Sequence, residues 1–321
     1  MKPKVLITYN VFNELYHEIL KDFEVIMPAP GVKSFKYNEV VEMIKDCDAL
    51  LSMWNFPVDK QLLDAAEKLK IVANFAVGYE NIDVGEATSH GVTVANTPDP
   101  VTAPTADIAI GLMIDLMRKI TYFDKSQRNG TYVKGLINNL GTSLEKKQLG
   151  ILGMGRIGKA VAKRAAAFGM SIKYHNRHRL PQSEEQSLGA EYVTIDELFS
   201  TSDVISINAP LTPETRHIVD AARLSTMKRT AFLINTARGQ LIDEVALIEA
   251  LRNGTIAGAG LDVYEFRDTV SKELLQLENT VLTPHIGTHT TEGRKEMAEF
   301  AARNIVNFFF GGRVARVNHI E

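Results

Sequence analysis

Three groups of residues in this chain have types and spacings that can do chemistry. Gly153-Met154-Gly155-Arg156-Ile157-Gly158 is a G-x-G-x-x-G turn. It follows the apolar run Leu149–Leu152 and leads into helically spaced Ile157, Ala160, Val161 and Ala165. Glycines at these places allow a tight reversal, a close backbone approach to a pyrophosphate, and packing of helix on strand. The N–H groups at the helix start can then take up phosphate charge. Arg238, in Asn235-Thr236-Ala237-Arg238-Gly239, follows a second apolar run. That puts it at the carboxyl end of a predicted strand, where parallel α/β sheets bind ligands, and its planar fork suits a carboxylate with a neighbouring carbonyl. His285, in Thr283-Pro284-His285-Ile286-Gly287, follows a third. An imidazole there can protonate a carbonyl oxygen as hydride reaches its carbon. Taken singly, the arginine reads as a surface ion-pair residue and the histidine as a structural one. Together at the strand ends of one predicted sheet, they read as a hydride-transfer site.

Past the glycine turn the chain runs Lys173-Tyr174-His175-Asn176-Arg177-His178-Arg179. A site for NAD usually places a carboxylate about 20 positions on, bonded to the adenosine ribose. No acid stands here. Asn176 can bond a hydroxyl, and Arg177 and Arg179 can bond a 2′-phosphate. The expected cofactor is NADP(H), with NAD(H) the alternative; a solvated basic loop is the plain reading.

These residues need a scaffold, and the pattern supplies one. At 321 residues the chain exceeds what one hydrophobic core usually supports, and its 45% hydrophobic and 23% charged content is that of an ordinary globule. Short apolar strands alternate with amphipathic helices: Val5–Ile7, Val25–Met27, Ala49–Leu51, Ile71–Ala73 and Val92–Ala95, then a second series from Leu149 through Ser171–Tyr174, Val204–Ile207, Ala231–Asn235, Gly258–Leu261 and Val281–Thr283. Such alternation predicts α/β architecture with parallel sheets covered by helices on both faces. Asn96-Thr97-Pro98-Asp99-Pro100 is a turn-rich break between the series, and a helix is expected from Thr105 to about Ile120. The helical pattern Glu292–Phe310 is expected to return to the first series. The predicted domains are therefore 1–98 with 290–321, for substrate, and 99–289, for the dinucleotide.

A net charge of −3 without long single-sign runs gives no reason to expect nucleic acid or an anionic membrane as partner. The longest apolar segment, around Ile108 to Met117, contains Asp115 and is too short to span a bilayer. A single cysteine, Cys47, and an N-terminus that enters a strand without a signal-peptide pattern predict a cytoplasmic protein. Cys47 lies between Asp46 and Asp48, which would raise a thiol's pKa, so no nucleophile is expected there.

The motifs, taken in order, resemble the D-isomer-specific 2-hydroxyacid dehydrogenases, in the group containing glyoxylate and hydroxypyruvate reductases. The anchors are Asn74-Phe75-Ala76-Val77-Gly78-Tyr79-Glu80-Asn81-Ile82-Asp83, the Gly153–Gly158 turn, Ala209-Pro210-Leu211-Thr212-Pro213-Glu214-Thr215, Asn235–Gly239, Gly260-Leu261-Asp262-Val263-Tyr264 and Thr283–Gly287. The resemblance implies two doubly wound parallel-sheet domains, one Rossmann-like for the cofactor and a smaller, flavodoxin-like one for substrate. It implies that Arg238 clamps the carboxylate and carbonyl of a small 2-oxo acid, and that His285 is the general acid for its reduction to the D-2-hydroxy acid. N–H groups near Val77 and Gly78 would help hold the substrate carboxylate. Arg156 and Ile157 would hold the pyrophosphate. Thr105, Ala209, Pro210, Thr215, Thr236, Ala237, Asp262 and Gly287, with Gly153, Gly155 and Gly158, match cofactor-lining positions. The segment from Thr105 to about Leu140 commonly builds a homodimer in this family.

Two positions depart from the family. Its catalytic glutamate, which raises the pKa of the histidine, falls by ungapped alignment on Arg267, and the proline after it on Asp268. A cation beside His285 would lower the imidazole pKa. Glu265 or Asp268 could supply the carboxylate only if the loop is displaced. His289 stands where the family usually has a small residue, but Pro284 and Gly287 argue against a helix carrying a histidine pair, and no metal is expected. Against the reductase stands a cofactor-binding regulator without turnover, which Arg267 favours and the retained Arg238 and His285 oppose. A phosphoglycerate or formate dehydrogenase is disfavoured within the family.

Overall fold

The structure is a computed structural model that describes residues 2–132, 137, 139–266 and 270–318. It divides into two compact units, Met1–Val101 with His289–Glu321, and Thr102–Thr288.

The first unit holds strands β1 (Lys4–Ile7), β2 (Glu24–Ile26), β3 (Ala49–Met53), β4 (Ile71–Phe75) and β5 (Thr93–Ala95). They form one parallel sheet in the order β2-β1-β3-β4-β5, the flavodoxin-like winding. β3 and β4 are buried at every residue, as central strands covered on both faces must be, and so they read as continuous apolar runs. Helices between the strands begin at acidic caps: Asp59 accepts from the Leu62 N–H (3.1 Å) and Asp83 from that of Glu86 (2.9 Å). Such caps contribute about 1 kcal/mol each. The C-terminal chain belongs here for specific reasons. In the helix Thr291–Phe310, buried Asn304 donates to the Asn96 carbonyl (2.9 Å) and accepts from the Ala315 N–H (3.0 Å). Asn318 then accepts from the Val94 N–H (2.7 Å) and donates to the Val92 carbonyl (2.9 Å), covering the edge of β5.

The second unit holds β6 (Gln148–Leu152), β7 (Ser171–His175), β8 (Ala190–Tyr192), β9 (Val204–Ile207), β10 (Phe232–Asn235), β11 (Gly258–Leu261) and β12 (Thr280–Leu282). Their order, β12-β11-β10-β9-β6-β7-β8, reverses direction beside β6, as in a Rossmann sheet extended by one strand. The helix Thr102–Arg118 packs Ala106, Ala109, Leu112, Met113 and Leu116 into a core shared with Leu149, Ile151 and Val161. It begins one turn earlier than its apolar spacing predicts. β8 is three residues long with an exposed glutamate at its centre, which hides it from any hydrophobic pattern. Among the described residues no helix is long and apolar enough to cross a membrane.

Candidate active site

The glycine turn lies between β6 and the helix Arg156–Ala167. Its three glycines have three different reasons to be there. Gly153 has φ +96°, and a Cβ on it would lie 2.5 Å from the Ala209 nitrogen. A Cβ on Gly158 would lie 2.3 Å from the Gly153 carbonyl oxygen. Gly155 has an ordinary φ of −79°, and a Cβ there would meet nothing within 4 Å. Internal packing explains the first two and not the third. Gly155 is also the N-cap of a helix with no side-chain cap, so the N–H groups opened by Arg156 and Ile157 face an uncrowded approach, as a bound pyrophosphate requires.

Around this turn Asn176 accepts from the Met154 N–H (2.6 Å), so its carbonyl oxygen braces the glycine loop. Arg177 is exposed and close enough to Glu214 to help lower that carboxyl's pKa, after hydrogen bonds from Thr212 and its own backbone. Arg179 differs from the phosphate-binding expectation. It grips Glu185 through two bonds of 2.8 and 2.9 Å and lies over the Tyr192 ring. That pair, with a bond from Tyr174, holds the Glu185 carboxyl down at about 2. Ala209 is buried at the end of β9, and Pro210 begins a loop closed by Thr215, whose hydroxyl donates to the Pro210 carbonyl (2.7 Å) and accepts from the Thr212 N–H (2.7 Å).

At the end of β10, buried Asn235 accepts from the Ala237 N–H (3.0 Å) and donates to the Arg238 carbonyl (2.9 Å), which fixes the turn presenting Arg238. Gly239 is demanded by packing, since a Cβ on it would lie 1.9 Å from the Tyr264 backbone. Among the described residues the buried Thr236 hydroxyl and the Asn208 carbonyl oxygen find no partner. They follow the neighbouring strands β9 and β10 at the same sheet edge, Asn208 against Gly153, where a nucleotide could satisfy them. These orphan groups, the open Gly155 and the uncapped helix fit a dinucleotide.

His285 is exposed and left-handed, with φ +55°. Such a backbone on a residue other than glycine costs of order 1 kcal/mol or more and needs outside support. Asp262 gives it: the buried carboxylate accepts from the Ile286 N–H (2.7 Å), the Gly287 N–H (2.8 Å) and the Thr283 hydroxyl (2.6 Å). Tyr264 adds a bond to the Thr283 carbonyl (2.8 Å), and burial beside Asp262 and Glu244 pushes its phenol up to about 12. Thr105 reaches the same place, its side chain 3.5 Å from where a Gly287 Cβ would be.

Arg267 and Asp268 lie outside the described residues. Glu265 is described, and its carboxylate is held in a network of its own. One oxygen meets His217 (2.5 Å) and Arg216 (3.4 Å), and the other accepts from the Glu244 N–H (3.1 Å). Glu244 answers by accepting from the Glu265 N–H (3.0 Å).

In the first unit, Val77 and Gly78 follow β4. Asn96 donates to the Val77 carbonyl (2.8 Å) and Asn74 to the Gly78 carbonyl (2.8 Å), so both carbonyl oxygens are occupied. Among the described residues neither N–H of this pair donates to the backbone. The motifs contain Asn74, Asn96 and Asn235, but their bracing role is not legible in the sequence; an Asn at or next to the end of an apolar strand is the signal that points to it. Cys47 is buried, and burial, more than its acidic neighbours, pushes its thiol up to about 11. Asp64, Glu86 and His90 come together elsewhere in this unit, but the Lys60 ammonium already pairs with both carboxylates.

Residues 110–287 match the family described as D-isomer specific 2-hydroxyacid dehydrogenase, NAD binding domain. A glyoxylate reductase of Thermococcus litoralis is 45% identical over 97% of this chain and 95% of its own length. Among solved structures, a glyoxylate reductase from Paecilomyes thermophila is similar with a TM-score of 0.89 at 37% identity, covering 98% of each chain. An NADPH-dependent glyoxylate/hydroxypyruvate reductase of Sinorhizobium meliloti, in complex with NADP and malonate, gives 0.86 at 34% identity over 99% of this chain and 96% of that one. The chain belongs to the D-isomer-specific 2-hydroxyacid dehydrogenase family and is an NAD(P)-dependent oxidoreductase.

Proposed function

We infer that the protein reduces a small 2-oxo acid, glyoxylate or hydroxypyruvate, to the D-2-hydroxy acid with NADPH in preference to NADH. The observation that carries this is the pair of braced strand ends, Asn235 fixing the turn of Arg238 and Asp262 fixing the left-handed turn of His285. A reduced nicotinamide, when bound, supplies hydride to the carbonyl carbon. Arg238 holds the carboxylate and carbonyl oxygen by its fork, polarising the bond. The N–H groups of Val77 and Gly78 hold the carboxylate. His285 gives its proton to the carbonyl oxygen as negative charge develops there, and takes it back in the oxidative direction. Preference for NADPH rests on Arg177 and on the absence of an acid in 173–179. The unit Thr102–Thr288 would hold the cofactor, and the first unit the substrate carboxylate.

A homodimer in the cytoplasm is the form we assign. The helix Ile120–Arg128 buries no residue within this chain, and Ile120, Tyr122, Tyr132, Ile137 and Leu140 are exposed on and after it, an apolar surface that a second copy would cover.

Oxidation of NADPH and NADH, measured side by side with glyoxylate and hydroxypyruvate, tests this reading. Turnover that favours NADPH agrees with it, and a preference for NADH refutes the role of Arg177. Cofactor binding without oxidation would leave a binding protein, the outcome that Arg267 favours.

A further inference from the structure

The carboxyl edge of the first sheet carries a cation that the reaction outlined above does not use. Strands β1, β3 and β4 are neighbours in register, Ile7 beside Leu51 and Met53 beside Phe75. Tyr9, Trp54 and Ala76–Gly78 therefore leave the sheet side by side at the edge where parallel sheets bind ligands. The helix Thr291–Phe310 starts at the same edge, because Arg294 in its first turn stacks on the Trp54 ring, 4.9 Å from its centre. Thr290 caps that helix by accepting from the Gly293 N–H (2.9 Å), which fixes the turn from which Arg294 projects.

Arg294 is half-buried, and among the described residues it has no carboxylate partner. Other arginines of this protein do: Arg128 holds Asp124, Arg164 holds Asp107 and Arg303 holds Glu299. Burial lowers the pKa of Arg294, and the nearby Tyr9 phenol acts the other way. A partly desolvated guanidinium without a counter-ion is costly to keep unless something anionic visits it. Trp54 is equally out of place as core, being 45% exposed at a strand end. An aromatic face beneath a guanidinium attracts its charge but accepts no N–H bond in the ring plane, so the contact with Trp54 positions the group without replacing a carboxylate.

We propose that Arg294, oriented by Trp54, is a specificity-determining residue that receives an oxygen-bearing group on the substrate carbon distal to the 2-oxo acid. The substrate is then a three-carbon 2-oxo acid with a hydroxyl or, better, a second carboxylate at C3, and two-carbon glyoxylate leaves Arg294 unused. This deepens the proposed function and rests on its placing of the substrate carboxylate at Val77 and Gly78, on the same sheet edge.

The test compares kcat/KM for glyoxylate, hydroxypyruvate and oxomalonate in the wild type, Arg294→Met and Arg294→Lys, each saturated with cofactor. Arg294→Met is expected to lose about tenfold or more with oxomalonate, less with hydroxypyruvate, and little with glyoxylate. Arg294→Lys should recover part of the oxomalonate loss, since it keeps the charge without the fork. An equal loss with all three substrates, or none with any, overturns the assignment. Trp54 is the single tryptophan of the chain and reports on the site without turnover. Oxomalonate should change its fluorescence in the wild type and not in Arg294→Met, even if no substrate is reduced. An identical response in both proteins overturns the subsite while leaving the reductase reading intact.

Discussion

Asp262 shows how much of this site depends on one carboxylate. It spends both oxygens on the turn that carries His285, receiving two backbone N–H groups and a hydroxyl. An amide of the same shape offers one acceptor oxygen and turns a donor toward the other N–H. Asp262→Asn is therefore expected to lower kcat by about 10- to 100-fold while KM changes little, because the turn relaxes and the proton donor drifts. Steady-state kinetics beside the far-ultraviolet spectrum would separate this from unfolding. Arg238→Lys removes the fork and keeps the charge, and should raise KM for the 2-oxo acid by about tenfold or more. At Arg177, replacement by Ala should weaken NADPH binding and leave NADH nearly unchanged, as read by cofactor titration. The sequence displays Arg238, His285 and Asp262 as residues at strand ends. It does not display that Asp262 holds Ile286 and Gly287, because those partners are brought together only by the pairing of β11 with β12. The pairing of Arg179 is hidden in the sequence for a related reason: Glu185, which takes it, lies on the next helix and reads there as an ordinary surface acid.

At the scale of elements, the glycine turn separates packing from binding. Gly158→Ala forces a Cβ to 2.3 Å from a backbone oxygen and should destabilise the whole unit. Gly155→Ala places its methyl in open space at an ordinary φ and loses only glycine's advantage at an N-cap, so melting should fall far less than in Gly158→Ala while cofactor affinity falls. Equal cofactor affinity in Gly155→Ala and the wild type would refute the phosphate-binding role. The Arg179–Glu185 pair ties β7 to its following helix, and it gives a pH signature. Glu185 titrates at about 2 against an ordinary 4.5, so its contribution is present above 4.5 and disappears as pH falls towards 2. Glu185→Gln should melt below the wild type at neutral pH, with the gap closing on acidification through that window. The buried strands were legible because both faces are covered, which leaves unbroken apolar runs such as Ile71–Ala73. β8 was not, because its Ala-Glu-Tyr carries no such run and it forms only by pairing with β7.

For the molecule as a whole, the alternating pattern was enough to foresee two parallel sheets. The C-terminal helix returns on an apolar face, Met297, Ala298, Ala301, Ala302 and Ile305, while Asn304 and Asn318, which no hydrophobic pattern registers, fix where it and the chain after it attach. The apolar surface on and after the helix Ile120–Arg128 leads to a solution prediction. The wild type should elute as a dimer, and Tyr122→Asp with Leu140→Asp should shift it towards monomer, as read by light scattering. A monomeric wild type would contradict the assembly and leave the chemistry untouched.

The chemistry is the central claim, and turnover of hydroxypyruvate by the wild type and by His285→Asn at saturating NADPH tests it most directly, with cofactor affinity measured on both. The expected result is a loss of about 10²- to 10⁴-fold in kcat with unchanged cofactor affinity, the signature of a missing proton donor. A wild type that binds cofactor and never oxidises it, or a variant that turns over as fast as the wild type, would contradict the account.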